Sequence, residues 1–131
     1  MDSLPTPGAI ARELELLRRM ARIANIGGWE YDPLARQLYW TEQVYRIVEL
    51  EPYSVTPTLE SSVGYYAPEA RATMARALQT ALEHGEAWDL ELPLVTARGR
   101  RIWVRVIGEP EVIDGRCVKL AGTVEDVTAA R

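Results

Sequence analysis

Apolar positions along the chain change their spacing several times, and each change marks an element. From Ala9 to Asn25 the spacing is helical. Ile10, Leu14, Leu17, Ala21 and Ala24 stand alternately four and three residues apart, a seam of about two heptads. Leu16, Met20 and Ile23 form a second apolar stripe beside it. A helix apolar over so wide an arc needs two partners, which would be its own domain and a second copy of the chain. The alternative is a single amphipathic helix lying on its own domain. Gly27-Gly28 is expected to end this helix.

The spacing then falls to two. Trp29-Glu30-Tyr31-Asp32 reads as a strand closed by a turn at Asp32-Pro33, and 37–40 as its hairpin partner. Thr41 is the expected N-cap of a short helix that buries Val44, Tyr45, Ile47 and Val48 and stops before Pro52. Residues 51–57 form a loop, and 59–66 hold a helical turn or two. Pro68 suits the first position of a longer helix reaching His84, with Met74, Leu78, Ala81 and Leu82 inward and Gly85 as its stop.

Three strands close the chain. In 87–96, Trp88, Leu90, Leu92 and Leu94 share a side. Arg98-Gly99-Arg100 turns into the strand 101–112. Asp114-Gly115, set between apolar runs, is a strong hairpin signal leading into 117–126. For the first hairpin to share a core with this meander, all five strands must form one antiparallel sheet. Val104 and Val106 face one way in the fourth strand, Trp103 and Ile107 the other. Apolar groups on both sides imply two covered faces, one under the middle helices and one under the N-terminal helix. The expected fold class is α+β. Residues 1–8 form a lead-in, 9–25 a dimerisation or cap helix, 26–128 the core domain, and 129–131 the start of an exit linker.

Composition narrows the function. A chain of 131 residues is one domain with a core of its own. Its apolar runs are too short to span a bilayer, and its N-terminus lacks a signal-peptide layout. The single cysteine, Cys117, fits a reducing, cytoplasmic compartment. A net charge of −4 speaks against non-specific nucleic-acid binding. There is no Phe, but there are four Trp and six Tyr, so every large aromatic carries a polar handle.

Several short pieces, in order and with matching gaps, resemble the PAS sensory-domain family of bacterial signalling proteins. They are Ile26 to Pro33 (IGGWEYDP), Leu38 to Leu50 (LYWTEQVYRIVEL), Tyr66 to Met74 (YAPEARATM), Trp88 to Arg105, and Leu120 to Thr128 (LAGTVEDVT). The resemblance covers about residues 20 to 128. It implies a five-stranded sheet cupped by helices, used as a sensor or dimerisation module. It also implies that Asp126-Val127-Thr128 is an exit motif, followed in the family by a helix into an output domain such as a histidine kinase or diguanylate cyclase. The chain departs from the family pattern at Tyr66 and Glu69-Ala70, where a His and an Asp are common. Glu49 stands where a Gly is common, and Ile102 where an Arg is. These departures put in doubt the polar networks those side chains would build.

The resemblance suggests cofactors to look for, and the residues do not supply their ligands. Flavin photosensors of the family carry an Asn-Cys-Arg motif on a helix, whereas Cys117 opens the last strand and reads as a small strand residue. Family haem sensors use a His on the long helix. His84 sits at that helix's C-terminal end, where it complements the helix dipole. One His and one Cys make a poor zinc site, and Gly27-Gly28 precedes a strand rather than a phosphate-binding helix. Glu30, Asp32, Asp89 and Glu91 alternate away from the apolar side, as solvated residues do, and no Ser or Cys is paired with a His for nucleophilic catalysis. No catalytic, metal or cofactor-binding residue is therefore expected.

What remains is the hollow between helices and sheet. Trp29, Tyr31, Tyr45, Met74, Leu78, Leu92, Leu94, Val104, Val106 and Val124 are its expected lining, together with Leu90, Leu120 and Val48. Either these side chains fill it, making a solid relay and dimerisation block, or a pocket remains for a small apolar or aromatic ligand oriented by the Tyr31 hydroxyl and a Trp indole. The expected dimer seam is Ile10, Leu14, Leu17 and Ala21. Because the first and last strands should be neighbours, the leading helix and the exit motif should leave from one region. Asp126 is then the candidate for pinning the exit, by an ion pair or a backbone cap.

Overall fold

The Asp114-Gly115 turn takes the form its residues favour. Both lie at positive φ, 52° and 77°, the two-residue hairpin geometry whose twist matches the strands it joins. The computed structural model describes residues 3–131. In chain order the elements are α1 (Pro7–Ala24), β1 (Ile26–Asp32), β2 (Gln37–Trp40), α2 (Glu42–Ile47) and α3 (Leu59–Tyr65). A 3-10 turn (Pro68–Ala70) then leads into α4 (Arg71–His84). β3 (Trp88–Val95), β4 (Arg101–Ile113), β5 (Arg116–Asp126) and a closing 3-10 turn (Thr128–Ala130) complete the chain.

All five strands form one antiparallel sheet in the order β2-β1-β5-β4-β3, which makes the first and last strands neighbours. α2 packs on β1, and α4 on β5 and β4. One core cluster fills the space between. It includes Ile102, Val104 and Leu120 from the sheet, all with no exposure, and Val44, Ile47, Met74 and Ala81 from the helices.

Local ends differ from expectation in four places. α1 starts at Pro7, with Thr6 as its N-cap, so Pro7 and Gly8 belong to the helix rather than to the expected lead-in. Asn25, not Gly27-Gly28, ends α1: it takes the left-handed conformation (φ 53°), which Asn tolerates, and the two glycines join β1 opposite Val124 and Thr123. Thr41 makes no side-chain cap. Its Oγ instead accepts the Gly28 N–H at 2.9 Å, tying α2 to β1. Pro68 opens the 3-10 turn rather than α4 itself.

α1 does not seal the sheet's second face. Its residues are all exposed apart from half-buried Ala21, and the helix touches α2 and β1. On that face a long charged side chain lies over Trp103, and ion pairs flank it. The Arg131 guanidinium sits 3.6 Å from the Trp103 ring centre and reaches Glu91 at 2.7 Å, while Arg105 pairs with Asp89. Trp103 and Ile107 are half-buried, as their alternation implied, but not under the N-terminal helix that was expected to cover them.

Candidate functional site

One row of residues crosses the whole sheet. Pairing places Trp40 opposite Trp29, Trp29 opposite Gly122, Gly122 opposite Gly108, and Gly108 opposite Trp88. The two glycines leave a gap in the middle of an indole row, and the flanking rings lean over it. Trp29 and Trp88 stack with centroids 5.7 Å apart and planes 21° from parallel. A Cβ on Gly108 would lie 2.3 Å from the Trp88 ring, and one on Gly122 would lie 1.7 Å from the Ile107 carbonyl oxygen. Neither position has room for a side chain.

Above this row lies a cavity of about 40 Å³. About 10–15 Å³ of such space holds one water and a cavity of about 150 Å³ admits benzene, so the hollow is small. Of the expected lining, Trp29, Met74, Leu78, Leu94, Val106 and Val124 are at the cavity. Val48 is there too, whereas Tyr31, Tyr45, Leu90, Leu92, Val104 and Leu120 are not. Tyr45 turns its ring edge-on to Trp40 and donates its hydroxyl to the Val55 carbonyl at 3.1 Å, while Val104 is wholly enclosed in the core. Tyr31 and Leu92 are half-buried away from the hollow. The structure adds Trp40, Tyr65, Tyr66 and Trp88, and apolar groups of α2 and α3. Complete burial pushes the Tyr66 phenol well above its ordinary pKa, so it stays neutral. Period-two alternation already put Trp88 on this side. The glycine row had no signal, because it depends on strand register.

A second feature joins α1, α2 and residues 126–128. The Asn25 carbonyl accepts the Asp126 N–H at 3.0 Å. Its side-chain Oδ1 accepts from Nε2 of buried Gln43 on α2 at 2.9 Å, and its Nδ2 lies 3.5 Å from Asp126 Oδ2. Asp126 acts as a cap: its Oδ1 accepts the Thr128 N–H at 3.0 Å and the Thr128 hydroxyl at 2.6 Å. Val127 N–H donates to the Trp103 carbonyl, and Thr128 Oγ accepts the Trp103 N–H. Asp126, Val127 and Thr128 are thus fastened to the end of α1 and to β4. Along the expected seam, Ile10, Leu14 and Leu17 are 53%, 47% and 53% exposed.

Glu49, the departure after α2, holds positive φ (63°) and has acquired partners. Hydrogen bonds from the Thr96 hydroxyl (2.7 Å) and Arg100 (3.1 Å) keep its carboxyl below the usual range. Cys117 is half-buried at the start of β5 with its Sγ near the Lys119 carbonyl, and His84 is exposed at the end of α4. Among the described residues no cluster of three metal-ligating side chains occurs, and no helix is long and apolar enough to cross a membrane.

The family model for the PAS fold matches residues 37–124, more than half of the chain. This chain belongs to the PAS-fold family. No curated protein matches it. Solved PAS structures agree with the sheet and its helices. A sensory box histidine kinase/response regulator from Burkholderia thailandensis E264 matches with a TM-score of 0.71 at 23% identity, over 87% of this chain and 86% of that one. The N-terminal domain of a diguanylate cyclase with PAS/PAC sensor from Marinobacter aquaeolei gives 0.72 at 16%, over 80% and 97%. A domain of a light and redox sensing histidine kinase from Haloarcula marismortui gives 0.67 at 24%, over 87% and 99%. At these identities the likeness is one of fold. In this PAS domain the cavity occupies the hollow between sheet and helices, and Asp126-Val127-Thr128 lies at the junction with α1.

Proposed function

We propose that this PAS domain is a non-enzymatic, homodimerising relay in a cytoplasmic bacterial signalling protein. α1 would pair with its counterpart in a second copy. A packing change in the core would pass to an output domain of the histidine kinase or diguanylate cyclase type. One observation carries the reading: α1 leaves its apolar stripes uncovered, yet its last turn is fastened through Asn25 to both buried Gln43 and the exit residue Asp126. A displacement of α2 or β5 must therefore move α1 and the exit together, as a switch between discrete packings. The acidic residues of the strands support a non-catalytic role, since Asp89 and Glu91 are paired with arginines on the outer face.

The input is the cavity, filled or emptied by a small apolar ligand. The smallness of that space favours a second reading, a structural dimerisation module with a filled core and no ligand. Light scattering tests what both share. The domain should be a dimer, and Leu14→Asp or Leu17→Asp should shift it to monomer. A monomer at every concentration overturns the relay.

A further inference from the structure

Two indole donors in the core have no protein acceptor. The indole N–H groups of Trp29 and Trp88 are both shut off from bulk solvent, and no protein atom accepts from either. Native interiors leave few such groups unpaired, and those that persist call for a reason. Here both belong to one stacked pair, and both residues line the same cavity. No Asp, Glu, Lys, Arg or His lines it. A charged guest would therefore be buried without a counter-ion. A pure hydrocarbon would fill the space and leave both donors unmade.

We infer that this cavity takes a small neutral carbonyl compound, its oxygen accepting from the Trp29 and Trp88 N–H groups and its carbon skeleton resting on Met74, Leu78 and Val106. A carbonyl oxygen has two lone pairs and no proton to place, so it suits two indole N–H groups, which can only donate, beside the Ser62, Tyr65 and Tyr66 hydroxyls that can turn either way. The way in is also marked. Leu59 and Leu78 line both the cavity and an open groove between α3 and α4. α3 buries none of its residues fully, so it is the wall that can yield. The inference rests on the reading of the cavity as the relay's input, and names the chemistry of that input.

The test is a titration of the ¹⁵N-labelled domain with acetone, small enough for a hollow of this size to admit with little opening, with isobutene as its near-isostere lacking the oxygen, and with acetate. The indole N–H resonances of Trp29 and Trp88 are assigned with Trp29→Phe and Trp88→Phe, which keep an aromatic ring and remove the donor. Acetone should move both resonances downfield and bind roughly five- to a hundred-fold more tightly than the alkene, the range expected of two net hydrogen bonds. The carboxylate should not bind. Trp88→Phe should reduce the ketone's advantage while the alkene still binds. The wild-type comparison stands even if a variant fails to fold. Equal affinities for ketone and alkene would sink this inference alone. So would indole N–H groups that exchange magnetisation with a bound water the ketone does not displace. Binding of neither molecule would remove the ligand-triggered reading as well, and leave the dimeric relay to the light-scattering result.

Discussion

Replacing Asn25 separates a backbone effect from a side-chain link at the α1 junction. Asn25→Gly keeps the left-handed conformation without steric cost and removes only the side chain. Its amide oxygen is the partner of Gln43 Nε2 at 2.9 Å, and Gln43 is 8% exposed, so the glycine variant leaves a buried amide donor unpaired. That costs about 1–3 kcal/mol. The 3.5 Å contact with Asp126 is too long to add much. Asn25→Ala loses the same link and also forces a Cβ residue without a local polar partner into φ 53°, for about 1 kcal/mol more. In a domain of this size each kcal/mol lowers the melting temperature by roughly 3–6 °C. Urea unfolding followed by tryptophan fluorescence gives the two free energies. Amide spectra should show residues 126–128 shifting in the glycine variant. If Asn25→Gly is as stable as the parent and leaves those resonances in place, Asn25 is merely a helix end and the junction carries nothing. If the alanine and glycine variants are equal, the backbone part of the reasoning fails.

Three further outcomes follow from the same geometry. Gly122→Ala would set a Cβ against the Ile107 carbonyl, so it should cost about 3 kcal/mol or more; Gly108→Ala should cost about 1–3 kcal/mol and abolish the near-ultraviolet dichroism of the Trp29–Trp88 stack, and an unchanged spectrum would contradict the indole row. Leu14→Asp removes a buried leucine from each side of the expected dimer, so dissociation measured by analytical ultracentrifugation should rise about a hundredfold or more. The Glu49 carboxyl is depressed in the folded state, so its contribution is present above the ordinary value of 4.5 and is lost as pH falls through the folded value; urea midpoints measured from pH 6 to pH 3 should fall less steeply in Glu49→Gln, and parallel curves would show that the Thr96 and Arg100 bonds add nothing.

Much of this architecture was written in local residue choices. Helical spacing, period-two alternation and the Asp-Gly turn each act over a few neighbours, so they fixed the elements, the sheet and its inward side from the chain alone. The Trp29, Met74, Leu78, Leu94, Val106 and Val124 lining follows from that alternation. Two things lay beyond it. The first is register. The turn pairs Ile113 with Arg116 and Val112 with Cys117, a ladder that would set Gly108 against Ala121. A bulge beside Glu111 leaves Val118 unpaired and slides the ladder by one, so Gly108 meets Gly122 and the gap under the indoles opens. The second is what covers each apolar stripe. Alternation shows that a stripe wants cover, and on the outer face Arg131 lies over Trp103 where a helix was expected. Local chemistry specified the parts and their inward faces. Only tertiary structure decided which parts meet, because register and cover are set by contacts between residues far apart in the chain.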